Sequence, residues 1–403
     1  MTAKKKLMLL GGISYLIPAI KAAQLHGIHT ITVDYLPDNI AHKYSDEYHN
    51  VSIIDKDAVL DLAQELKIDG IISFAVDPGV VTAAYVAEKM DLPFQCSYES
   101  ACILQDKSLF RKFLATHGFN TPKAYNYSDK KEAQKDAEKF VYPIIVKPVD
   151  SAGSKGVSKV ETPKKLDAAL DYAFNSSISH SIIIEDYLEK DGFSSGAESF
   201  AIDSKLVFNG FYDQFFDNEA INPYTPSGEC WPTSKPSTAT AEIKSELQRL
   251  FNLLEVKTGI FNIEWRICRN GKIYLMEVSP RAGGNRLAEM LKIATGVDII
   301  DAEVCKAVGL PFKTIQEPSY NGYFSILVLH PEKAGEFKNI QIDESFNKKY
   351  VLEEEIRVNK GDYVKPFTGA NAAIGTLFLH FQSNEEMIST MENISKYIKI
   401  DVE

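Results

Sequence analysis

The chain has no long apolar run, no extended basic tract and no paired-cysteine motif, and each absence removes a class of function. Beyond Lys4-Lys5-Lys6 there is no cluster of Lys or Arg, and the formal charge is −11. Binding along a phosphodiester backbone needs clustered cations, so nucleic acid is not an expected partner. Residues 7–20 are apolar for too short a distance, and Gly11-Gly12 and Pro18 interrupt them, so neither a signal sequence nor a membrane span is expected. The 5 cysteines, Cys96, Cys102, Cys230, Cys268 and Cys305, are odd in number, scattered and free of any CxxC. That pattern fits a reducing cytoplasm and disfavours structural zinc. No Ser-His-Asp or Cys-His arrangement is evident, and the 8 histidines read as surface or satisfied residues rather than ligands.

What is present is ordinary globular material, 403 residues with 45% apolar content, enough for two or three domains with real cores. Residues 6–95 alternate short strands (6–12, 29–34, 70–74) with helices (18–26, 58–66), which predicts a parallel sheet with crossover helices. Gly11-Gly12 followed by Asp34 at the end of the second strand invites a dinucleotide reading. It is rejected, because the third glycine of that fingerprint is missing and Pro18 sits in the helix that would face the phosphates.

The most informative stretch is Gly259 to Arg286, GIFNIEWRICRNGKIYLMEVSPRAGGNR. Asn270-Gly271 between two runs rich in Ile, Phe, Trp and Tyr predicts a hairpin with a two-residue type I′ turn. That register opposes Arg269 to Lys272, Arg266 to Leu275, Glu264 to Glu277 and Asn262 to Ser279. Alternation then puts Phe261, Ile263, Trp265 and Ile267 on one face with Tyr274, Met276 and Val278, and the two glutamates on the other. Like charges opposed across a strand pair repel, and a hard divalent cation such as Mg²⁺ relieves this when it also carries substrate phosphates. Arg281 follows on the same face with Gly283-Gly284, and a guanidinium there suits a transferring phosphoryl group.

Upstream, a helix over 108–117 ends at Gly118. The strand IIVK delivers Lys147, and Ser151-Ala152-Gly153-Ser154-Lys155-Gly156 follows. Small residues let backbone N–H groups approach phosphate oxygens while a lysine supplies point charge. The GxxxxGK[ST] spacing is absent. The strand at 181–184 runs into Glu185-Asp186-Tyr187-Leu188-Glu189, which physics alone reads equally as a surface loop or as a hinge that recognises an adenine edge. Trp231, in the polar stretch 224–236, either lines a pocket or packs. A helix is expected over 384–398 from the spacing of Met387, Ile388, Met391 and Ile394.

Together, Asp106-Lys107, Lys147 with its loop, the EDYLE segment, and Glu264 and Glu277 with Arg281 resemble the ATP-grasp superfamily in order and spacing over residues 100–300. Leu329 to Phe337 and GANAAIGTLFLHF resemble the small C-terminal domain of biotin carboxylase, carbamoyl phosphate synthetase and L-amino-acid ligases. The resemblance implies an α/β fold (an α+β grasp) with an N-terminal parallel α/β domain at 1–98. An ATP-grasp domain would follow at 99–305, with its lid at about 122–190, and then a C-terminal domain at 306–403 completing the platform.

The resemblance also implies ATP held between lid and platform, with Mg²⁺, or Mn²⁺ in its place. Lys107 and Lys147 would contact phosphates, and Ser151, Gly153, Ser154 and Gly156 would close over the β and γ groups. Glu185 would take the adenine amino group, Asp186, Tyr187 and Leu188 would read the ring, and Glu198 would reach ribose. Glu264 and Glu277 would hold the metal. The family usually has Asn two residues after the second of these, where this chain has Ser279, a weaker ligand; Asn262, opposite it, is the expected remedy. Arg281 and Lys147 would be catalytic, and Arg281, Gly283, Gly284 and Arg286 would border the substrates, a small carboxylate and an amine. The activity implied is a carbon-nitrogen ligase, with glycinamide ribonucleotide synthetase or a non-catalytic ATP-binding module as alternatives, and a homodimer is the expected assembly at this size.

Overall fold

The computed structural model describes residues 4–151 and 153–403, so Ala152 of the expected phosphate loop lies outside the described residues. Its first sheet is parallel, in the order β3 (Glu47–His49), β2 (His29–Val33), β1 (Lys6–Leu10), β4 (Gly70–Ile72). Leu7 to Leu10 are all fully buried, as a strand covered on both faces by crossover helices requires. The loops leaving the carboxyl ends of β1 and β4 carry Tyr15 and Asp77 toward the site, which is where open α/β sheets place ligands. Asp34 spends its carboxylate in its own turn, accepting from the Leu36 N–H and from Asn39.

A second sheet is antiparallel, pairing β5 (Ala124–Tyr127), β8 (Ile182–Asp186), β6 (Ile144–Pro148) and β7 (Ser158–Val160) in that order. The helix Leu166–Ser176 covers it through Leu166, Ala169, Leu170 and Ala173. The opposite face, which carries Lys147 and Glu185, is turned to a cleft.

Below the cleft lies an eight-stranded sheet. Its order is β13 (Ile273–Ser279), β12 (Gly259–Ile267), β9 (Ser194–Ile202), β10 (Lys205–Phe216), β11 (Pro226–Trp231), β14 (Tyr323–Leu329), β18 (Gly375–Phe381) and β16 (Val351–Ile356). Three of these strands come from beyond residue 320, so one hydrogen-bonded sheet spans both halves of the chain. Helix Ser237–Leu253 packs on its outer face through Ile243, Leu247 and Phe251. Trp231 is fully buried and donates to the Gly210 carbonyl, so it packs rather than lining a pocket.

The final helix is shorter than its apolar spacing suggests. It spans Asn384–Glu392, and after a single 3₁₀ turn the chain forms strand β19 (Ile398–Val402) in a small sheet with β15 (Gly335–Ile342) and β17 (Tyr363–Val364). β-branched Ile398 and Ile400 pair with Ile342 and Ile340, and that pairing wins over helical periodicity.

Candidate active site

The hairpin forms, and Glu264 opposes Glu277 with Asn262 opposite Ser279. It reaches this pairing by a different route from the expected one. The loop has three residues, not two: the Cys268 N–H donates to the Lys272 carbonyl at 3.0 Å and Gly271 N–H to the Cys268 carbonyl at 2.8 Å, with φ of 74° at Gly271. This is the bulged hairpin loop in which glycine alone takes the left-handed position. The register near the turn is therefore shifted by one, so that Arg266 faces Tyr274 and Trp265 faces Leu275. A bulge at Met276 then restores the glutamate pairing. The bulge also turns Met276 out of the core into the cleft, leaving Ile273, Leu275 and Val278 packed with Ile263 and Trp265.

The two carboxylates lie on the floor of a cleft of about 950 Å³ between the four-stranded antiparallel sheet, the eight-stranded sheet and the first sheet. Burial and the charge of Glu277 raise the pKa of Glu264. Burial also pushes against Glu277, but Lys107 and Arg281 outweigh it and hold that carboxyl below its ordinary range. Lys107 Nζ lies 3.3 Å from Glu277 and donates to the Ser151 carbonyl at 3.2 Å, tying floor to loop. A cation site fits this donor set: two opposed carboxylates, one held anionic. Asn262 fits as well, since its Nδ2 is committed to Glu198 at 2.6 Å and its oxygen remains for the cleft. The amide orientation follows from that network. Ser279 does not fit. It is fully buried, accepts from Gln105 at 2.6 Å and donates to Asp77 at 3.2 Å.

Facing the floor, Lys147 Nζ lies 2.6 Å from one oxygen of Glu185 while Arg111 Nε donates to the other at 2.6 Å. Burial pushes Glu185 up, but these two cations hold it down at about 2, whereas burial lowers Lys147 to about 8. With one cation on each oxygen, Glu185 acts as the brace of Lys147 while still lining the cleft. Asp186, Tyr187 and Leu188 line the cleft beside it, as do Ser151, Gly153 and Ser154. Gly156 sits outside the lining, at a φ of 75° where a Cβ would approach Pro148 and Ser176 within 2.8 Å.

Arg281 lines the cleft with its guanidinium fixed by Asp77 at 2.7 Å and by the Ala282 carbonyl at 2.8 Å. Gly284 lines it too. Three expected contacts are displaced. Glu198 is fully buried and accepts from the Gly283 N–H and Asn262, so it supports the floor and does not reach for ribose. Gly283 lies beneath the surface because a Cβ there would meet Glu198, Asn262 and Leu287 within 2.7 Å. Arg286 is taken by Glu289 at 2.8 Å and by Glu353 and lies over the Phe378 ring, outside the cleft. Asp77, Glu229 and Arg357, which line the cleft, and Arg111, which backs it through Glu185, are residues that the sequence reading passed over. A signal existed for Arg111, one helical turn after Lys107 on the same helix face, and for Asp77, which follows the carboxyl end of a parallel strand.

Residues 114–299 match the protein family described as D-ala D-ala ligase C-terminus. The carbamoyl phosphate synthase large chain of Thermotoga sp. (strain RQ2) is 25% identical over 302 residues, 73% of this chain. The chain spans only about a quarter of that relative's length, 27%. Among solved structures, L-amino acid ligase from Bacillus licheniformis superposes with a TM-score of 0.81 at 19% identity, covering all of both chains. Phosphoribosylglycinamide synthetase from Anaerococcus prevotii gives 0.75 at 20%, again over the whole of both. The biotin carboxylase domain dimer of Hydrogenobacter thermophilus 2-oxoglutarate carboxylase, solved with MgADP and bicarbonate, gives 0.75 at 16% over 100% of this chain and 92% of that one. The fold is the one these solved structures share, mixed α/β with one parallel and several antiparallel sheets. Among the described residues no helix is long and apolar enough to cross a membrane.

Proposed function

We propose, from the ATP-grasp fold that this chain shares with ligases, that it is an ATP-dependent carbon-nitrogen ligase. It converts a small carboxylate, an amino acid for preference, to its acyl phosphate for attack by an amine. The observation that carries this reading is the opposed pair Glu264 and Glu277 on the cleft floor, with Lys107 beside it and Arg281 fixed nearby by Asp77. No side-chain nucleophile is needed, since a carboxylate oxygen of the substrate attacks the γ-phosphorus and ADP leaves. The amine nitrogen then forms the new C–N bond, the C–O bond to phosphate breaks, and the amine gives up a proton.

Glu264, Glu277 and Asn262 would hold Mg²⁺, which when bound neutralises phosphate charge and polarises the transferring group. Lys107 and Lys147 neutralise further charge, with Lys147 aimed by the Glu185 brace. The backbone of 186–188 reads the adenine edge, and Ser151 with Gly153, Ser154 and Lys155 covers the phosphates and keeps water out. Arg281 meets the phosphoryl oxygens or the tetrahedral intermediate, and its anchoring to Asp77 removes reorganisation at the moment of reaction.

The test is release of ADP and phosphate across a panel of acid and amine pairs. Turnover should require both substrates and should fall by at least about 10²-fold in Glu277→Gln. Turnover that requires phosphoribosylamine would select the glycinamide ribonucleotide synthetase reading. MgATP binding without turnover on any pair would leave a binding module. If Asn262→Ala left the Mg²⁺ dependence unchanged while Glu277→Ala abolished it, Asn262 would be removed from the ligand set.

A further inference from the structure

We infer that one wall of the cleft is a binding post for the zwitterion of an α-amino acid, with Arg357 receiving its carboxylate and Glu229 facing its amino group. The inference rests on the ligase reading above and deepens it, because it makes the amine substrate an amino acid.

Arg357 follows β16 and lines the cleft from the C-terminal part of the chain. Its Nη1 makes one long bond, 3.4 Å to Ser14 Oγ, and the guanidinium carbon stands 5.5 Å from the Tyr15 ring centroid. The Glu355 carboxylate is 4.0 Å from Nε, too far for a hydrogen bond. Among the described residues, neither Nε nor Nη2, both buried, has a hydrogen-bond partner. These two nitrogens form one edge of the guanidinium, and that edge matches the two oxygens of a carboxylate.

Glu229 on β11 presents a carboxyl group. It is 2% exposed; its Oε1 accepts from Asn285 Nδ2 at 3.0 Å, and its Oε2 is buried with no hydrogen-bond partner among the described residues. Asn285 Oδ1 in turn accepts from the Tyr15 hydroxyl at 3.3 Å. Glu229, Asn285, Tyr15 and Arg357 thus line the cleft as a connected series, with a carboxyl group at one end and a guanidinium at the other. Burial pushes the Glu229 carboxyl up to about 8 even against its Asn285 bond, which marks a carboxylate lacking a cation. Unpaired buried donors and acceptors cost free energy, and one ligand with an ammonium and a carboxylate supplies a partner to each.

The acid to be activated belongs elsewhere. Arg281 has its guanidinium committed to Asp77 and the Ala282 carbonyl, close enough to Glu277 to depress that carboxyl, so it marks the phosphate end. A carboxylate at Arg357 is therefore one that is not phosphorylated, and its owner contributes the nitrogen.

The experiment compares acceptors: free amino acids, their carboxamides, and hydroxylamine, which traps any acyl phosphate as a hydroxamate. The wild type should prefer the free amino acid, and Arg357→Gln should raise its KM about 10- to 100-fold, the span of a charge-assisted hydrogen-bond pair. The same variant should lose the preference over the carboxamide, Arg357→Lys should recover part of it, and Glu229→Gln should raise the same KM. A retained MgATP-induced rise in Tm reports that each variant is folded. The inference is overturned if the wild type uses carboxamide and free amino acid equally, or if the KM in Arg357→Gln is unchanged. It is also overturned if phosphoribosylamine is the only acceptor while hydroxamate still forms, in which case the ligase reading survives. Absence of hydroxamate from the wild type with every acid overturns the ligase reading itself.

Discussion

Glu185 shows how a single carboxylate holds a site together. Replacing it by Gln leaves Arg111 and Lys147 as two buried cations without an anion, and removing one partner of such a group costs about 3–5 kcal/mol. Urea denaturation of Glu185→Gln should show that loss, together with a weaker MgATP complex. The pH dependence follows from the same geometry. The folded-state value near 2 lies below the ordinary 4.5, so Glu185 contributes stability above pH 4.5 that is lost as pH falls toward 2. Glu229 has the opposite sign, since its folded value near 8 lies above 4.5. Its contribution is complete below pH 4.5 and disappears as pH rises through 8. Tm measured from pH 5 to 8.5 without ligand should therefore decline less in Glu229→Gln than in the wild type. At Arg281, Asp77→Ala should leave the guanidinium unanchored and lower kcat by about 10- to 100-fold with KM for ATP little changed.

Among the elements, the hairpin carries the clearest lesson. Asn270-Gly271 announced a reversal, and the alternation of Glu264 and Glu277 announced a polar face; both are present. The turn type and the bulge were not legible, because a three-residue loop and a two-residue loop share the same dipeptide signal, and a one-residue insertion looks like any other strand residue. The two displacements cancel at the glutamates and fail to cancel at Tyr274 and Met276. Deleting Met276 should therefore close the bulge and leave Glu277 directly opposite Glu264 on the cleft face, so phosphate release should persist while the Met276 side chain is lost from the cleft. Gly271→Ala, at a φ of 74° with open space around it, should cost only about 1 kcal/mol in chemical denaturation and leave turnover intact.

At the scale of the whole molecule, the cleft draws on every part of the chain: Tyr15 and Asp77 from the parallel sheet, Lys147 from the lid, Glu264 and Glu277 from the floor, Arg357 from beyond residue 350. A ligand bridging these parts stabilises all of them together. MgATP at 100 times its Kd should add about 2.7 kcal/mol to the unfolding free energy, and EDTA should remove most of that gain. The scanning-calorimetry trace should shift as one transition, since one sheet runs through strands 194–279 and 323–381.

The sequence by itself determined the residues whose roles are local: the glycine that turns the hairpin, the alternation that faces Glu264 and Glu277 the same way, and the lysine at the end of a strand. Periodicity and turn chemistry act over a few residues and can be read there. Only the tertiary structure decided which charges are already spent. Ser279, Glu198 and Arg286 carry suitable groups at suitable spacings, yet each is consumed by a partner 64 to 202 residues away, at Asp77, Asn262 and Glu353. Asp77 and Arg357 lie outside the stretch that the motifs cover, and long-range packing alone brings them to the cleft.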